Sequence, residues 1–115
     1  MTCLFVLNDA PYASERDYNA LRLATELAAN AENAVRVFLI GDAVRAAVAG
    51  QTVPEGAHDI EWMLGRLAPA ACIVCCRTCL EARGILPERL IDGAAVGTLA
   101  QLATWTAEAD KVLVF

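Results

Sequence analysis

Short apolar runs, each followed by a helical segment, are the feature that most restricts the fold of this chain. Mainly apolar runs predict buried strands at residues 3–7, 35–40, 70–74 and 112–115, with a weaker strand at 94–96. The remaining patterns predict helices at residues 14–31, 43–49, 58–67 and 98–109, and short helical turns at 78–83 and 87–91. Strands that alternate with helices predict an α/β fold with a parallel sheet and right-handed crossovers.

The chain has the length of one domain and is apolar for its size. Its 115 residues are 57% hydrophobic, and the mean hydropathy is +0.45. We therefore expect a sheet covered on both faces and an apolar surface partly buried between identical subunits. The net charge of −5 lacks the basic field that nonspecific nucleic-acid binding requires, so we expect no direct contact with nucleic acid.

The sequence also predicts where the protein resides. No apolar run approaches the length of about 18 residues that a transmembrane helix needs, so we expect no membrane span. The first residues lack the basic region and cleavage site of a signal peptide. Five cysteines, an odd number, suit a reducing compartment better than a disulfide framework, and we expect a cytoplasmic location.

Four of the five cysteines lie close together in two overlapping Cys-x-x-Cys pairs. Cys72 and Cys75 form the first pair, and Cys76 and Cys79 form the second. Cys72 and Cys75 fall within the predicted strand, on its two sides, and we interpret both as packing residues. Cys3, inside the first strand, is interpreted in the same way.

A capping box follows the cysteine strand. Thr78 and Glu81 have the spacing of an N-cap residue and its N3 partner, so they predict a helix that begins at Thr78 and ends near Gly84. Cys79 is then the first helical residue, and Cys76 lies in the turn before the cap.

Thiols at the start of a helix are candidates for reactivity, because main-chain N–H groups favour the thiolate. Arg77 and Arg83 add positive charge, while Glu81 opposes it. We therefore expect the reactive thiol to be Cys76 or Cys79.

Three predicted strand ends meet at one edge of the sheet, where α/β proteins place their chemistry. They carry Asn8 and Asp9, Gly41 and Asp42, and the residues from Cys76 to Cys79. Asp9 either lines the thiol site or only ends a strand. It is not an activator, because a carboxylate raises the pKa of a nearby thiol.

Other chemistries receive less support from the sequence. Four cysteines within eight residues of strand and turn do not easily converge on one metal ion, so we expect neither metal nor cofactor. His58, the only histidine, is either an acid–base partner for a thiol or an exposed residue at a helix start. Trp62 and Trp105 are interpreted as packing or subunit-contact residues.

The chain resembles the DsrE/DsrF-like sulfur-relay family, and most closely its small YchN-like members. The most specific match is Cys-x-Thr-Cys-x-x-Ala-Arg-Gly, from Cys76 to Gly84. The other matching segments are Asn8–Tyr12, Asn19–Ala24, Val37–Asp42 and Ala109–Phe115.

The resemblance implies one Rossmann-like or flavodoxin-like domain over residues 1–115, with a five-stranded parallel sheet, helices on both faces, and assembly into trimers or hexamers. It implies that a cysteine of this loop accepts persulfide sulfur from a donor protein and passes it to an acceptor protein. Carried onto this chain, that cysteine is Cys76 or Cys79. The choice stays open, because Arg77 stands where glycine is commoner and Cys75 adds a further thiol.

Three functions follow from the sequence. The leading hypothesis is a sulfur carrier, a relay component or sulfurtransferase, in which the second thiol resolves or protects the persulfide. The second is a thiol–disulfide switch that uses Cys76 and Cys79. The third is an assembly protein whose cysteines only pack. The candidate auxiliary residues are Asn8, Asp9, Asp42, Arg77, Thr78 and Arg83.

Overall fold

A five-stranded parallel sheet forms the centre of the computed structural model, which describes residues 1–115. Its strands are β1 (Thr2–Leu7), β2 (Ala34–Leu39), β3 (Ala71–Cys76), β4 (Ala94–Gly97) and β5 (Lys111–Val114). They lie in the order β4-β3-β2-β1-β5, and every neighbouring pair is parallel. The predicted α/β fold is confirmed.

Helices connect the strands in chain order. The α-helices are α1 (Arg16–Ala28), α2 (Ile60–Leu67), α3 (Arg77–Ala82) and α4 (Leu99–Glu108). Three 3₁₀ helices span Gly41–Ala47, Ala68–Ala70 and Pro87–Arg89. The segment predicted as a helix at 43–49 is thus a 3₁₀ helix that begins two residues earlier. None of these helices combines the length and apolar character needed to cross a bilayer.

The strand order places helices on both faces of the sheet, as predicted. The chain moves in one direction from β1 to β4, so right-handed crossovers place α1, α2 and α3 on one face. The return from β4 to β5 reverses that direction and places α4 on the other face. Accordingly, Trp105 of α4 packs edge-to-face against Phe38 of β2, with ring centroids 6.3 Å apart.

The face covered by α4 is incompletely shielded. None of the ten residues of α4 is buried, and Leu99 is 62% exposed. Val112 and Val114 of β5 point to this face, because Val114 pairs with Val6, which in turn pairs with Phe38. Val114 is 67% exposed. One short helix therefore leaves an apolar strip of the sheet open to solvent.

One hydrophobic core packs around the sheet, mostly beneath α1, α2 and the first 3₁₀ helix. Cys3 and Cys75 belong to it, which confirms that they are packing residues. Cys72 is exposed, so the packing interpretation is wrong for that residue. Cys72 lies on the sparsely covered α4 face, because it pairs with Arg36, which contacts α4 through Trp105 and Glu108.

Candidate functional site

The strand and the helix that carry the cysteines meet without an intervening turn. Cys76 is the last residue of β3, where it pairs with Gly97 of β4, and α3 begins at the next residue. Cys76 is therefore the N-cap residue, with an extended backbone. Cys79 is the third helical residue.

The capping box predicted at Thr78 and Glu81 is therefore wrong. It requires Thr78 to be the N-cap residue, but the helix begins at Arg77, directly after the last strand pair at Cys76. Thr78 therefore lies inside the helix, and its hydroxyl contacts the Cys76 thiol instead, with 3.3 Å between Oγ1 and Sγ. The end of the strand, rather than the local capping pattern, thus sets the start of the helix.

The Cys76 thiol is surrounded by groups that favour its anion. Burial raises the pKa of Cys76, but four interactions with Thr78 and Cys79 lower it, namely those of both side chains and both main-chain N–H groups. The lowering interactions prevail, so the pKa lies below the ordinary thiol value. Cys76 forms no side-chain capping hydrogen bond, and α3 has only six residues. The polarity of nearby donors, rather than a long helix dipole, therefore stabilises the thiolate.

Cys79 has the opposite tendency. Burial and its hydrogen bond with Cys76 raise the pKa of Cys79, and the charge on Cys76 raises it further. The main-chain N–H of Gly41 donates to Cys79 Sγ at 3.2 Å, and this bond and the charge of Arg83 only partly offset the rise. The first proton that the pair loses therefore comes from Cys76, and the thiol of Cys79 ionises later.

Arg83 fixes the position of Cys79 from the other side. Its Nε and Nη2 both lie near Asp42 Oδ1, at 3.0 and 2.9 Å, and its Nη1 donates to the Cys79 carbonyl oxygen at 3.0 Å. The 3₁₀ helix that follows β2 is thus tied to α3. Among the auxiliary residues, Thr78, Asp42 and Arg83 lie at the two thiols.

The remaining predicted auxiliary residues lie apart from the sulfur atoms. Asn8 Nδ2 donates to the carbonyl oxygen of Phe115, which ties β1 to the end of β5. Asp9 accepts a hydrogen bond from Ser14 at 2.7 Å and pairs with Arg16 at 3.4 Å. Neither residue contacts a thiol.

Arg77 also does not contact the thiols. Its side chain is exposed and forms neither an ion pair nor a hydrogen bond. It lines a groove of about 620 Å³ on the outer side of α3, together with Leu80 and Val96. Of the two arginines that the sequence analysis proposes, only Arg83 therefore affects the pKa of a thiol.

The other cysteines do not join the pair. Burial raises the pKa of Cys75 to about 12, and the Cys76 thiolate adds to the rise. Cys72 shares a strand face with Cys76 but lies four residues away, about 13 Å along the strand. No group of three or more His, Cys, Asp or Glu side chains is arranged to hold a metal ion.

The single histidine and the two tryptophans lie elsewhere. His58 is exposed and stacks on Tyr18, with ring centroids 3.5 Å apart. Trp62 is 59% exposed beneath the guanidinium of Arg66, whereas Trp105 is half-buried against the sheet. The exposure of His58 agrees with a surface residue and the contact of Trp105 with packing, whereas a subunit contact at Trp62 stays a prediction. None of the three contacts a cysteine.

Sequence reasoning placed Gly41 at this edge without assigning it a role, and it missed Asp17. Gly41 donates its N–H to Cys79 from a left-handed backbone with φ of +60°, a conformation that favours glycine. Asp17 of α1 is fully buried, and neither carboxylate oxygen has a partner. Its place four residues before Leu21 on the buried helical stripe is the signal that could have revealed it.

The comparisons with known proteins agree along the whole chain. The model of the DsrE/DsrF-like family matches residues 1–115. Protein YchN of Escherichia coli strain K12 is 46% identical over 114 residues, which cover 97% of each chain. An uncharacterized protein of Methanopyrus kandleri, MK0008, is 34% identical over 110 residues, which cover 96% of this chain and 90% of the relative.

Solved structures lead to the same family. The crystal structure of E. coli YchN matches with a TM-score of 0.93 at 42% identity, and the match covers 100% of this chain and 99% of the other. MTH1491, a protein of unknown function from Methanobacterium thermoautotrophicum, shares the fold at 15% identity with a TM-score of 0.72, covering 99% of this chain and 97% of the other. This chain therefore belongs to the DsrE/DsrF-like family, with YchN among its relatives.

Proposed function

We propose that this protein carries sulfane sulfur as a persulfide on Cys76 and delivers it to a partner protein. Membership of the DsrE/DsrF-like family supports sulfur relay in general. The lowered pKa of Cys76 is the observation that carries the assignment to this residue, because the thiolate is the nucleophile in sulfur transfer.

Loading follows from ordinary thiolate chemistry. The Cys76 thiolate attacks the terminal sulfur of a donor persulfide, R–S–SH, and forms a new S–S bond. The donor S–S bond breaks, R–S⁻ leaves, and Cys76–S–SH remains, so atoms and charge balance without an oxidant. Delivery is the same step in reverse, with an acceptor thiolate as the nucleophile.

Cys79 leaves the persulfide intact in this proposal because it stays protonated. Its thiolate can attack the inner sulfur of Cys76–S–SH, forming a Cys76–Cys79 disulfide and releasing HS⁻. That loss requires Cys79 to be ionised, and the raised pKa of Cys79 keeps it protonated at neutral pH. Arg83 and Gly41 hold the thiol in place without reversing this preference.

Limited access favours a protein donor over small reagents. Cys76 is only 3% exposed, whereas Cys79 is partly exposed. We propose that a donor protein docks at this edge of the sheet and presents its sulfur between α3 and the first 3₁₀ helix. The groove lined by Leu80 and Val96 lies beside that approach and offers apolar surface to such a partner.

Intact-mass spectrometry after incubation with a persulfide donor tests the proposal. We expect one added sulfur atom on the wild type, none on Cys76→Ser, and retained loading on Cys79→Ser. Cys72→Ser is the matched control, because this exposed thiol lies on the same strand without the surrounding donors, and it should load normally. Undiminished loading of Cys76→Ser would assign the carrier elsewhere, and no loading of the wild type would contradict the function.

A thiol–disulfide switch is the second candidate, favoured by the interaction between the Cys76 and Cys79 side chains, which lowers the pKa of the first and raises that of the second. It predicts a reversible loss of two hydrogens on mild oxidation, without sulfur uptake. The carrier predicts instead that a preloaded persulfide decays to the disulfide faster as the pH rises, because Cys79 then ionises. Cys79→Ser should remove that pH dependence.

We further propose that the protein acts in the cytoplasm as a trimer or hexamer. The exposed apolar strip on the α4 face, with Leu99 and Val114, supports burial against a second copy of the chain. Light scattering coupled to gel filtration should give a multiple of the monomer mass. Leu99→Glu should reduce that mass, and a monomeric wild type would contradict the assembly.

A further inference from the structure

Three arginines line one small cavity near the cysteine edge. Arg45, Arg83 and Arg89 surround a volume of about 320 Å³. The chain has only nine lysines and arginines against 14 acidic residues, so a third of its positive side chains meet here. Like charges repel when they are gathered, and the arrangement therefore favours a negative group between them.

The backbone holds the cavity in shape. Arg45 lies on the 3₁₀ helix Gly41–Ala47, and Arg89 ends the 3₁₀ helix Pro87–Arg89. The Ala49 N–H donates to the Arg89 carbonyl oxygen, and the Ile91 N–H donates to the Ala47 carbonyl oxygen, both at 2.8 Å. The two segments that carry these arginines are thus bonded to each other.

Gln51 and Tyr12 complete the walls. Gln51 Nε2 donates to the carbonyl oxygens of Ala46 and Val48, at 2.8 and 2.9 Å, and closes the end of the first 3₁₀ helix. The Tyr12 hydroxyl donates to Gln51 Oε1 at 2.9 Å and accepts from the Ile60 N–H at 3.3 Å. Burial raises the pKa of Tyr12, so this wall adds no negative charge at neutral pH.

Two of the three positive charges lack a partner. Arg83 is paired with Asp42 at 2.9 Å, but no carboxylate lies within 4.0 Å of Arg45 or Arg89. Glu61 accepts hydrogen bonds from the main-chain N–H groups of Gly50 and Gln51, and it forms no ion pair with Arg45 or Arg89.

We infer that this cavity binds a small molecule through a tetrahedral oxyanion of the phosphate or sulfate type. The planar guanidinium fork matches two oxygens of such a group, and two forks that approach from separate segments match it better than a single carboxylate. Pro11, Val48 and Ile85 supply an apolar side for the remainder of the ligand. The inference does not depend on sulfur transfer.

Titration of the isotope-labelled protein with inorganic phosphate, followed by amide NMR at constant ionic strength and neutral pH, tests the inference. We expect saturable shifts at Arg45, Ala49 and Arg89. Arg45→Gln and Arg89→Gln should each weaken binding about tenfold, since each removes a charge-assisted hydrogen bond to the anion. Arg66→Gln is the matched control, because Arg66 lies over Trp62 and outside this cavity, and it should leave binding unchanged.

Phosphate shifts no larger than those with chloride, or unchanged binding by the Arg45→Gln/Arg89→Gln double variant, would overturn the inference. The thermal midpoint of each variant checks that the fold is retained. Arg83 is left unchanged in these variants, because it also holds Cys79. Sulfur loading of the double variant, measured with a neutral persulfide donor, should equal that of the wild type. Failure of this anion site and failure of the sulfur carrier are therefore separate results.

Discussion

Replacing Thr78 by valine tests the electrostatic basis of the site. The change removes the hydroxyl that lies 3.3 Å from Cys76 Sγ and keeps the branched shape of the side chain. That hydroxyl is one of the groups that lower the pKa of Cys76, so its loss favours the neutral thiol. One such hydrogen bond contributes about 1 kcal/mol. Because 1.36 kcal/mol corresponds to a tenfold change in ionisation, the thiolate fraction below the pKa should fall about fivefold.

The fall in the thiolate fraction can be measured by the rate at which iodoacetamide alkylates Cys76. Site-resolved mass spectrometry gives that rate across a range of pH. The Thr78→Val variant should react about fivefold more slowly than wild type at pH below the pKa. The two rates should converge at alkaline pH, where both thiols are ionised and only access limits the reaction. Thr78→Ser retains the hydroxyl and should react like wild type. A rate unchanged by valine, or a loss that persists at alkaline pH, would refute this account of the Cys76 thiolate.

Three further substitutions test the surroundings of the site. Gly41→Ala should lower the free energy of unfolding by about 1–2 kcal/mol in denaturant titrations, because the residue has φ of +60°. Arg83→Gln should slow alkylation of Cys79, whose pKa rises when the guanidinium is lost, yet change stability by at most about 1 kcal/mol because Asp42 is largely exposed. Burial, with a smaller effect of Asp9, raises the pKa of Asp17 to about 7 from 3.8, so the folded state should lose stability as the pH rises between these values. Asp17→Asn should remove most of that loss, on the order of 4 kcal/mol, when unfolding at pH 8 is compared with pH 4.

The fold was predictable because its strands are signalled by their own residues. Apolar runs mark β1 and β3, a run broken by Arg36 marks β2, and the alternation with helices then dictates a parallel sheet. The start of α3 was not predictable in this way. Whether Cys76 belongs to strand or turn depends on its pairing with Gly97, which is 21 residues away in the chain.

The gathering of both thiols at this edge of the sheet was predictable, but the different surroundings of the two sulfur atoms were not. The Cys-x-x-Cys spacing indicates Cys76 and Cys79 equally as candidate reactive thiols. What separates them is the set of neighbouring donors: Thr78 beside one sulfur, and the N–H of Gly41 beside the other. Gly41 is 38 residues from Cys79, and only the packing of the 3₁₀ helix against α3 brings its N–H to that sulfur.

In the proposed sulfur carrier, the pKa values of Cys76 and Cys79 decide whether the persulfide persists or the two residues form a disulfide. Cys79 lies close enough to attack a persulfide on Cys76, so proximity alone favours the disulfide. The attack needs a thiolate, however, and a negatively charged persulfide on Cys76 repels a second negative charge as the Cys76 thiolate does. Arg83 counteracts that repulsion only in part, because its charge is shared with Asp42. A partner that drew Asp42 away from Arg83 would leave more positive charge at Cys79 and favour its ionisation. In the proposed carrier, docking that separates Asp42 from Arg83 would therefore convert a stored persulfide into released sulfide and a disulfide.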